Sequence, residues 1–235
     1  MSTQSLHQNK SKSVVLPYEG VILDMDGTLI ESTEADFLAW KWLFADYNRS
    51  FTFQEYLPLL GIKSADVVQA RLQLQGDELK NALQRKMGYF KEVVANNGIR
   101  TVPFAEAFLV SLKNYRVQIA LATSSRREKM RLLMEKVGLL KYFDVIITGE
   151  EVQRGKPAPD IFIHAVHTMH VDADKCVVIE DATNGVAAAK NAGMKCIAIT
   201  TTHSADQLQQ ADMVIDTFEN ANFHDWCSLL YSARD

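Results

Sequence analysis

This chain holds few of the residues that would mark a disulfide-bonded, membrane-spanning or nucleic-acid-binding protein. Its 235 residues include three cysteines, Cys176, Cys196 and Cys227. They lie too far apart for a disulfide framework or a zinc motif. Two of them adjoin apolar runs, so buried reduced thiols are expected. No apolar stretch approaches the roughly 20 residues that cross a bilayer. The opening segment, MSTQSLHQNKSKS, lacks the apolar centre of a secretory signal. Residues 1–13 are expected to be a disordered polar tail, and the cytoplasm is the expected location. A basic surplus is missing too: 25 Lys and Arg face 29 Asp and Glu, a net charge of −4. That balance gives no reason to expect nucleic acid or an anionic membrane as partner. Internal repeats and low-complexity segments are absent, and nothing argues for an oligomer, so a monomer is expected.

What remains is an ordinary globular mixture, 47% hydrophobic and 23% charged, long enough for one large domain or two small ones. Six short apolar runs recur along it: GVILD (20–24), VQIALA (117–122), VIIT (145–148), CVVIE (176–180), CIAIT (196–200) and MVI (213–215). Their near-continuous hydrophobicity suits strands buried on both faces. Segments of helix length separate them, which predicts an α/β fold, a Rossmann-like parallel sheet with helices on both faces. One helix can be read closely. Ser125 and Glu128 form an S-x-x-E capping box, Met130, Leu133, Met134 and Val137 share a face, and Gly138 stands at the C-terminal cap. The segment TNGVAAAKNAG (183–193) offers small residues for close packing of a helix on the sheet.

The alternation fails between Ser32 and Val102, where amphipathic helices replace strands. Phe37, Trp40, Phe44 and Tyr47 form one stripe, read as core, and Leu79, Leu83, Met87, Phe90 and Val94 form another. The domain reading is therefore a catalytic core over 14–31 and 103–235, with a helical insert over 32–102.

In a parallel sheet, ligands bind beyond the carboxyl ends of the strands. Asp24, Asp26, Gly27 and Thr28 follow the first run; Thr123, Ser124 and Ser125 follow the second. Lys156 lies in a Gly/Pro-rich loop after the third, and Glu180, Asp181 and Asn184 follow the fourth. Asp24 and Asp26, two apart in an extended chain, point the same way and repel. Four carboxylates and one lysine at one edge would reject a phosphate unless a hard divalent cation joined them. Mg²⁺ shares oxygen ligands with phosphate. Metal-assisted phosphoryl transfer uses all of these groups together. His164, His167 and His170 recur at three-residue steps, and an exposed helix face explains them better than a metal site does.

DMDGTL, LATSS, GKPAPDIF and IEDATNGV resemble, in order, the four motifs of the haloacid dehalogenase (HAD) superfamily. The place of the insert is similar to that in its C1-cap phosphatase and β-phosphoglucomutase-like branch. The resemblance covers nearly all the chain after Pro17. It implies that Asp24 is a nucleophile forming an aspartyl-phosphate and that Asp26 is the general acid/base. By the same resemblance Thr123 and the backbone N–H of Ser124 hold the phosphoryl group, and Lys156 neutralises charge. Asp24, Asp181 and the carbonyl of Asp26 would hold Mg²⁺, with Glu180 orienting a metal-bound water.

An acid at Asp26 suits hydrolysis of a phosphoenzyme, which a carbon-attacking dehalogenase does not need. The expected function is a Mg²⁺-dependent phosphatase of a small phosphorylated metabolite, sugar phosphates included. A phosphohexomutase is the alternative, and a binding module that lost turnover is a third. A mutase of this type commonly carries an arginine after G-x-S in the cap, where this chain has LLGIKSADV with Lys63 and Ser64. A histidine usual in the first cap helix is replaced by Asp36. Trp40, Trp42, Leu60, Ile62, Lys63 and Arg71 are candidate substrate-facing residues.

Overall fold

The computed structural model describes residues 17–115 and 117–232; the expected tail over residues 1–13 lies outside them. All six apolar runs form strands: β1 (Gly20–Leu23), β2 (Gln118–Thr123), β3 (Val145–Thr148), β4 (Cys176–Glu180), β5 (Lys195–Ile199) and β6 (Met213–Ile215). They make one parallel sheet in the order β3-β2-β1-β4-β5-β6. The chain builds outward from β1 on one side, then returns to lay β4 against its other side. That reversal leaves a crevice between the carboxyl ends of β1 and β4.

Strand residues alternate between the two faces of the sheet. Val21, Leu23, Ile119, Leu121, Val177 and Ile179 enter one core, with α5 (Ala105–Asn114), α6 (Arg127–Lys136) and α9 (Phe223–Ser232) over it. Ile22, Ala120, Ala122, Val178 and Ala198 enter the other, beneath α7 (Asp160–Met169) and α8 (Thr183–Asn191). Burying each branched side chain contributes about 1.5–3 kcal/mol, so two covered faces fix the register strongly. The small residues of α8 serve as the sequence suggests: Gly185, Ala188 and Ala189 are buried against the sheet. All three cysteines are buried and free. His164, His167 and His170 are exposed along α7 and its C-terminal cap.

The expected capping box at α6 does not form. The helix begins one residue later than the box requires, with Arg126 at the cap and no side-chain bond there. The Ser125 hydroxyl donates instead to Asp26 Oδ2 at 2.6 Å, and Glu128 pairs with Lys91 at 2.6 Å. A carboxylate is a stronger acceptor partner for the hydroxyl than the helix's neutral N–H group would be a donor to it. The rest of the helix follows its pattern. Met130, Leu133 and Met134 are buried, and Gly138 takes φ +73° just past the last turn.

Between β1 and β2 the chain forms α1 (Thr33–Asp46), α2 (Phe53–Tyr56), α3 (Ser64–Leu72) and α4 (Gly76–Asn97). Trp40, Leu43, Phe44, Phe51, Val67, Val68 and Ala82 gather there in a core of their own, with Phe44 and Phe51 stacked at 4.3 Å. The two longest helices also reach the sheet. Ala35 and Ala39 of α1, and Phe90, Val93 and Val94 of α4, belong to the same core as β1. This is where the helices hold the insert over the carboxyl edge.

Candidate active site

Asp24 leaves β1 at the central crevice, its N–H bonded to the Ile179 carbonyl at 3.0 Å. Lys156 lies beneath it with a fully buried side chain. The ammonium donates to Asp24 Oδ1 at 2.5 Å, Glu180 Oε1 at 2.6 Å and the Ala122 carbonyl at 3.3 Å. An ammonium has three protons to donate, and three acceptors meet it. Burial alone would discharge this lysine, but Asp24 and Glu180 more than offset that and hold its pKa above the ordinary value. Glu180 turns its other oxygen to the N–H groups of Asp181 and Ala182, at 2.9 and 3.0 Å. Gly185 makes room for it, since a Cβ there would lie 1.8 Å from Glu180 Oε1.

Asp181 stands beside this pair. It accepts from the Thr28 hydroxyl at 2.9 Å and the Thr202 hydroxyl at 2.5 Å. Gly27, at φ +86°, lets the carboxylate close in; a Cβ on it would lie 2.2 Å from Asp181 Oδ2. Among the described residues no cationic side chain forms an ion pair with Asp181. Its pKa is pushed well above the carboxylate range by burial first, then by Glu180 and Asp24. Asp24 is raised to about 7, again by burial first, with Lys156 opposing.

Asp26 is held from three directions. Ser32 and Ser125 donate their hydroxyls to it, and Lys129 Nζ lies 2.8 Å from its Oδ1. Lys129 also reaches Asp36 Oδ1 at 3.0 Å. Asp36, on α1, further accepts from Lys86 at 2.9 Å and from the Tyr56 hydroxyl at 3.1 Å. Burial alone would raise the Asp36 pKa, but Lys129 and Lys86 outweigh it and hold the carboxyl well below its usual range.

Asp24, Asp26, Thr123, Ser124, Glu180 and Asp181 line one cavity of about 50 Å³, together with Asp36, Trp40, Tyr56, Leu60, Ile62 and Lys129. The structure thus brings together all the predicted site residues, with Lys156 behind the wall rather than in it. Thr123 is buried and its hydroxyl accepts the Ser125 N–H at 3.1 Å. The Ser124 hydroxyl donates to the Gly61 carbonyl at 2.5 Å, tying the insert to the core. Trp42, Lys63 and Arg71 are not among the residues that line the cavity. Trp42 packs edge-on to Tyr89 at 5.7 Å, Lys63 donates to the Val152 and Gln153 carbonyls at 3.0 and 3.3 Å, and Arg71 is exposed.

Sequence reasoning missed Lys129, Lys86, Tyr56 and Thr202, and it placed Thr28 after the first run without giving it a role. The two lysines had a signal: each falls on the apolar face of its helix, Lys86 four residues from both Ala82 and Phe90, and Lys129 four from Leu133. With them the charge count changes. Five carboxylates (Asp24, Asp26, Asp36, Glu180 and Asp181) face three ammonium groups (Lys86, Lys129 and Lys156). Fully ionised, the cluster is left with two negative charges, centred on Asp24 and Asp181. A dication cancels that excess. The available donors are hard oxygens, as Mg²⁺ prefers. Among the described residues no three His, Cys, Asp or Glu side chains converge as a ready-made cage. That also suits Mg²⁺, which commonly takes one or two carboxylates and completes its shell with water and substrate oxygens.

The sequence model for haloacid dehalogenase-like hydrolases matches residues 21–199. A phosphorylated carbohydrates phosphatase of Thermotoga maritima is 31% identical over 186 residues, 76% of this chain and 83% of that protein. A fructose-1-phosphate phosphatase of Escherichia coli is 30% identical over 181 residues, 77% of this chain and 95% of that protein. The crystal structure of a β-phosphoglucomutase from Clostridium difficile matches with a TM-score of 0.84 at 21% identity, over 92% of this chain and 99% of that one, a likeness of fold.

Proposed function

The chain belongs to the haloacid dehalogenase-like hydrolases, and on that premise we propose that it is a Mg²⁺-dependent phosphatase of small phosphorylated metabolites, sugar phosphates foremost. The observation that carries this reading is the buried Asp24 carboxylate. Lys156 holds it from below at 2.5 Å, and it borders one cavity with Asp26, Thr123, Ser124 and Asp181. The relatives from T. maritima and E. coli, both phosphatases of phosphorylated carbohydrates by name, support the substrate class.

Asp24 attacks phosphorus while the bond to the substrate oxygen breaks, and Asp26 gives that oxygen its proton. The product is an aspartyl-phosphate and a free alcohol. Asp26, now a carboxylate, takes a proton from a water that attacks the same phosphorus. The bond to Asp24 breaks, and inorganic phosphate leaves with the enzyme restored. Lys156 keeps Asp24 aimed and lowers the repulsion between two anions. The Thr123 hydroxyl and the Ser124 N–H hold the phosphoryl oxygens. Asp24, Asp181 and the Asp26 carbonyl would hold Mg²⁺, which would supply the positive charge that a phosphate needs in this acidic crevice.

The helical insert acts as a cap. A cavity of about 50 Å³ has room for little more than water beside the carboxylates, so the insert lifts to admit substrate and closes to exclude solvent. The polar ties to be released include Ser124 to Gly61, Asn184 to Pro58 and Leu60, Lys63 to Val152 and Gln153, Lys91 to Glu128, and Lys129 to Asp36. Hydrolysis is favoured over the mutase reaction because neither Lys63 nor Arg71 lines the cavity to hold a second phosphate.

Phosphate release from p-nitrophenyl phosphate and a panel of sugar phosphates, with Mg²⁺, tests the proposal. Asp24→Asn should lower turnover by about 10³-fold or more while the chain stays folded. Equal activity in variant and wild type would refute the assignment of Asp24. Conversion of glucose 1-phosphate to glucose 6-phosphate, primed by glucose 1,6-bisphosphate, would replace the phosphatase with the mutase.

A further inference from the structure

We propose that Thr202 and His203, in the loop after β5, are positioning residues for Asp181, and that His203 acts by turning the Thr202 hydroxyl onto that carboxylate. The inference rests on the metal-binding role given to Asp181 above. It concerns what aims this ligand before a cation arrives.

The loop opens with three threonines, and each hydroxyl goes to a different element. Thr200 donates to Asp216 Oδ1 at 2.7 Å, beyond β6, and Thr201 to the Gly27 carbonyl at 2.5 Å, in the loop after β1. Thr202 donates to Asp181 Oδ2 at 2.5 Å, just beyond β4. The buried His203 follows. Its Nδ1 lies 3.1 Å from the Asp181 carbonyl oxygen and 3.0 Å from Thr202 Oγ1.

A count of protons assigns the tautomer. Thr202 Oγ1 is within reach of two acceptors on Asp181, Oδ2 at 2.5 Å and the carbonyl oxygen at 2.9 Å, and a hydroxyl has one proton to donate. The carboxylate makes the stronger bond, so that proton goes to Oδ2. The carbonyl then needs a second donor. His203 Nδ1 supplies it only if Nδ1 carries the hydrogen, since a carbonyl accepts and never donates. In the opposite tautomer Nδ1 would draw the Thr202 proton to itself and leave Oδ2 without a donor. One ring proton thus decides where the hydroxyl points.

Every polar atom of Asp181 is then engaged. Its N–H goes to Glu180, its carbonyl to His203, Oδ1 to Thr28 and Oδ2 to Thr202. Thr202 also lines a second cavity, of about 580 Å³, with Glu31, Glu34 and Arg100. Water in a space of that size competes for the threonine proton, so the hydroxyl needs a partner that keeps it turned toward Asp181. Groups that orient a metal ligand in this way govern metal affinity by about 10–100-fold.

Mn²⁺ titration followed by electron paramagnetic resonance, on the whole chain without substrate, reads the metal site apart from catalysis. His203→Phe keeps a ring but has no donor, and should raise the Kd for Mn²⁺ about 10-fold; Thr202→Val should raise it about 30-fold. His203→Asn, which keeps an N–H near the place of Nδ1, and Thr202→Ser should stay within about three-fold of wild type. Adding His203→Phe to Thr202→Val should raise the Kd little further, because the two act through one hydroxyl. With p-nitrophenyl phosphate, the Mg²⁺ concentration for half-activation should rise in step with the Kd, while kcat at saturating Mg²⁺ stays within about three-fold. A merely structural histidine would lower Tm and leave the Kd where it was. Unchanged Kd in folded His203→Phe and Thr202→Val, or a loss of kcat that saturating Mg²⁺ does not restore, would overturn the proposal. Should His203→Phe not fold, His203→Leu and the two Thr202 variants decide by the same readouts. Mn²⁺ binding as tight in Asp181→Asn as in wild type would instead overturn the metal reading on which the proposal rests.

Discussion

Asp181 is the side chain whose surroundings most plainly ask for a cation. Two hydroxyls and no ammonium meet a buried carboxylate, with Glu180 and Asp24 adding repulsion. Asp181→Asn should therefore raise the stability of the metal-free chain, by about 1–3 kcal/mol in urea unfolding, and abolish the rise in Tm that Mg²⁺ gives the wild type. Asp24 makes the same point through pH. Its carboxyl titrates at about 7 against an ordinary 3.8, so the stability tied to its neutral form is full below pH 3.8 and lost as pH rises through 7. The Tm of the metal-free protein should fall between pH 5 and 8 by this effect, and Mg²⁺ should reverse the fall. Asp36 has the opposite sign. Its carboxyl is held below its ordinary 3.8 by Lys129 and Lys86, so its contribution is full above that pH and fades as pH drops below it. Asp36→Asn should cost about 3–5 kcal/mol at pH 7 and progressively less as pH falls from 4 toward 2.

Two helix starts illustrate how an element yields to a neighbouring charge. Ser32 caps α1 and Ser125 precedes α6, yet neither side chain caps its helix; both hydroxyls go to Asp26. A capping box read from four residues cannot anticipate a carboxylate brought in from ninety-nine residues away. The same limit hid Lys86 and Lys129. Each looks like a solvated lysine until α1, α4 and α6 meet and bury it beside Asp36. Asp24, Asp26, Lys156, Glu180 and Asp181 were legible because each sits at the end of a strand, just beyond one or in the loop after one, and six apolar runs located the strands. The loops after β1 and β4 allow a direct test. Gly27→Ala and Gly185→Ala would each drive a Cβ into a site carboxylate, 2.2 and 1.8 Å away. Each should destabilise the fold by about 2–4 kcal/mol and lower phosphatase turnover, by urea unfolding and steady-state kinetics. Alanine in place of the exposed Gly193, where a Cβ would meet nothing within 4 Å but φ is +74°, should cost about 1 kcal/mol and leave turnover intact.

Seen as a whole, the molecule sets an acidic crevice at the sheet's centre and folds a helical insert over it. The net charge of the chain hardly bears on the site, because the excess of two negative charges there sits on a few buried groups. Parallel topology accounts for the crevice, and its existence followed from the alternation of strand and helix lengths. How the insert sits on the core did not follow, since that depends on the meeting of Asp36, Lys129 and Asp26 and on a handful of loop hydrogen bonds. The central claim is that Asp24 carries the phosphoryl group between substrate and water. Asp26→Ala should let that intermediate accumulate when p-nitrophenyl phosphate and Mg²⁺ are added. After acid quenching, peptide mass spectrometry should find a phosphoryl adduct on Asp24 in about one equivalent of the p-nitrophenolate released in the first turnover. Phenolate release with no adduct, or with the adduct on another side chain, would contradict the account.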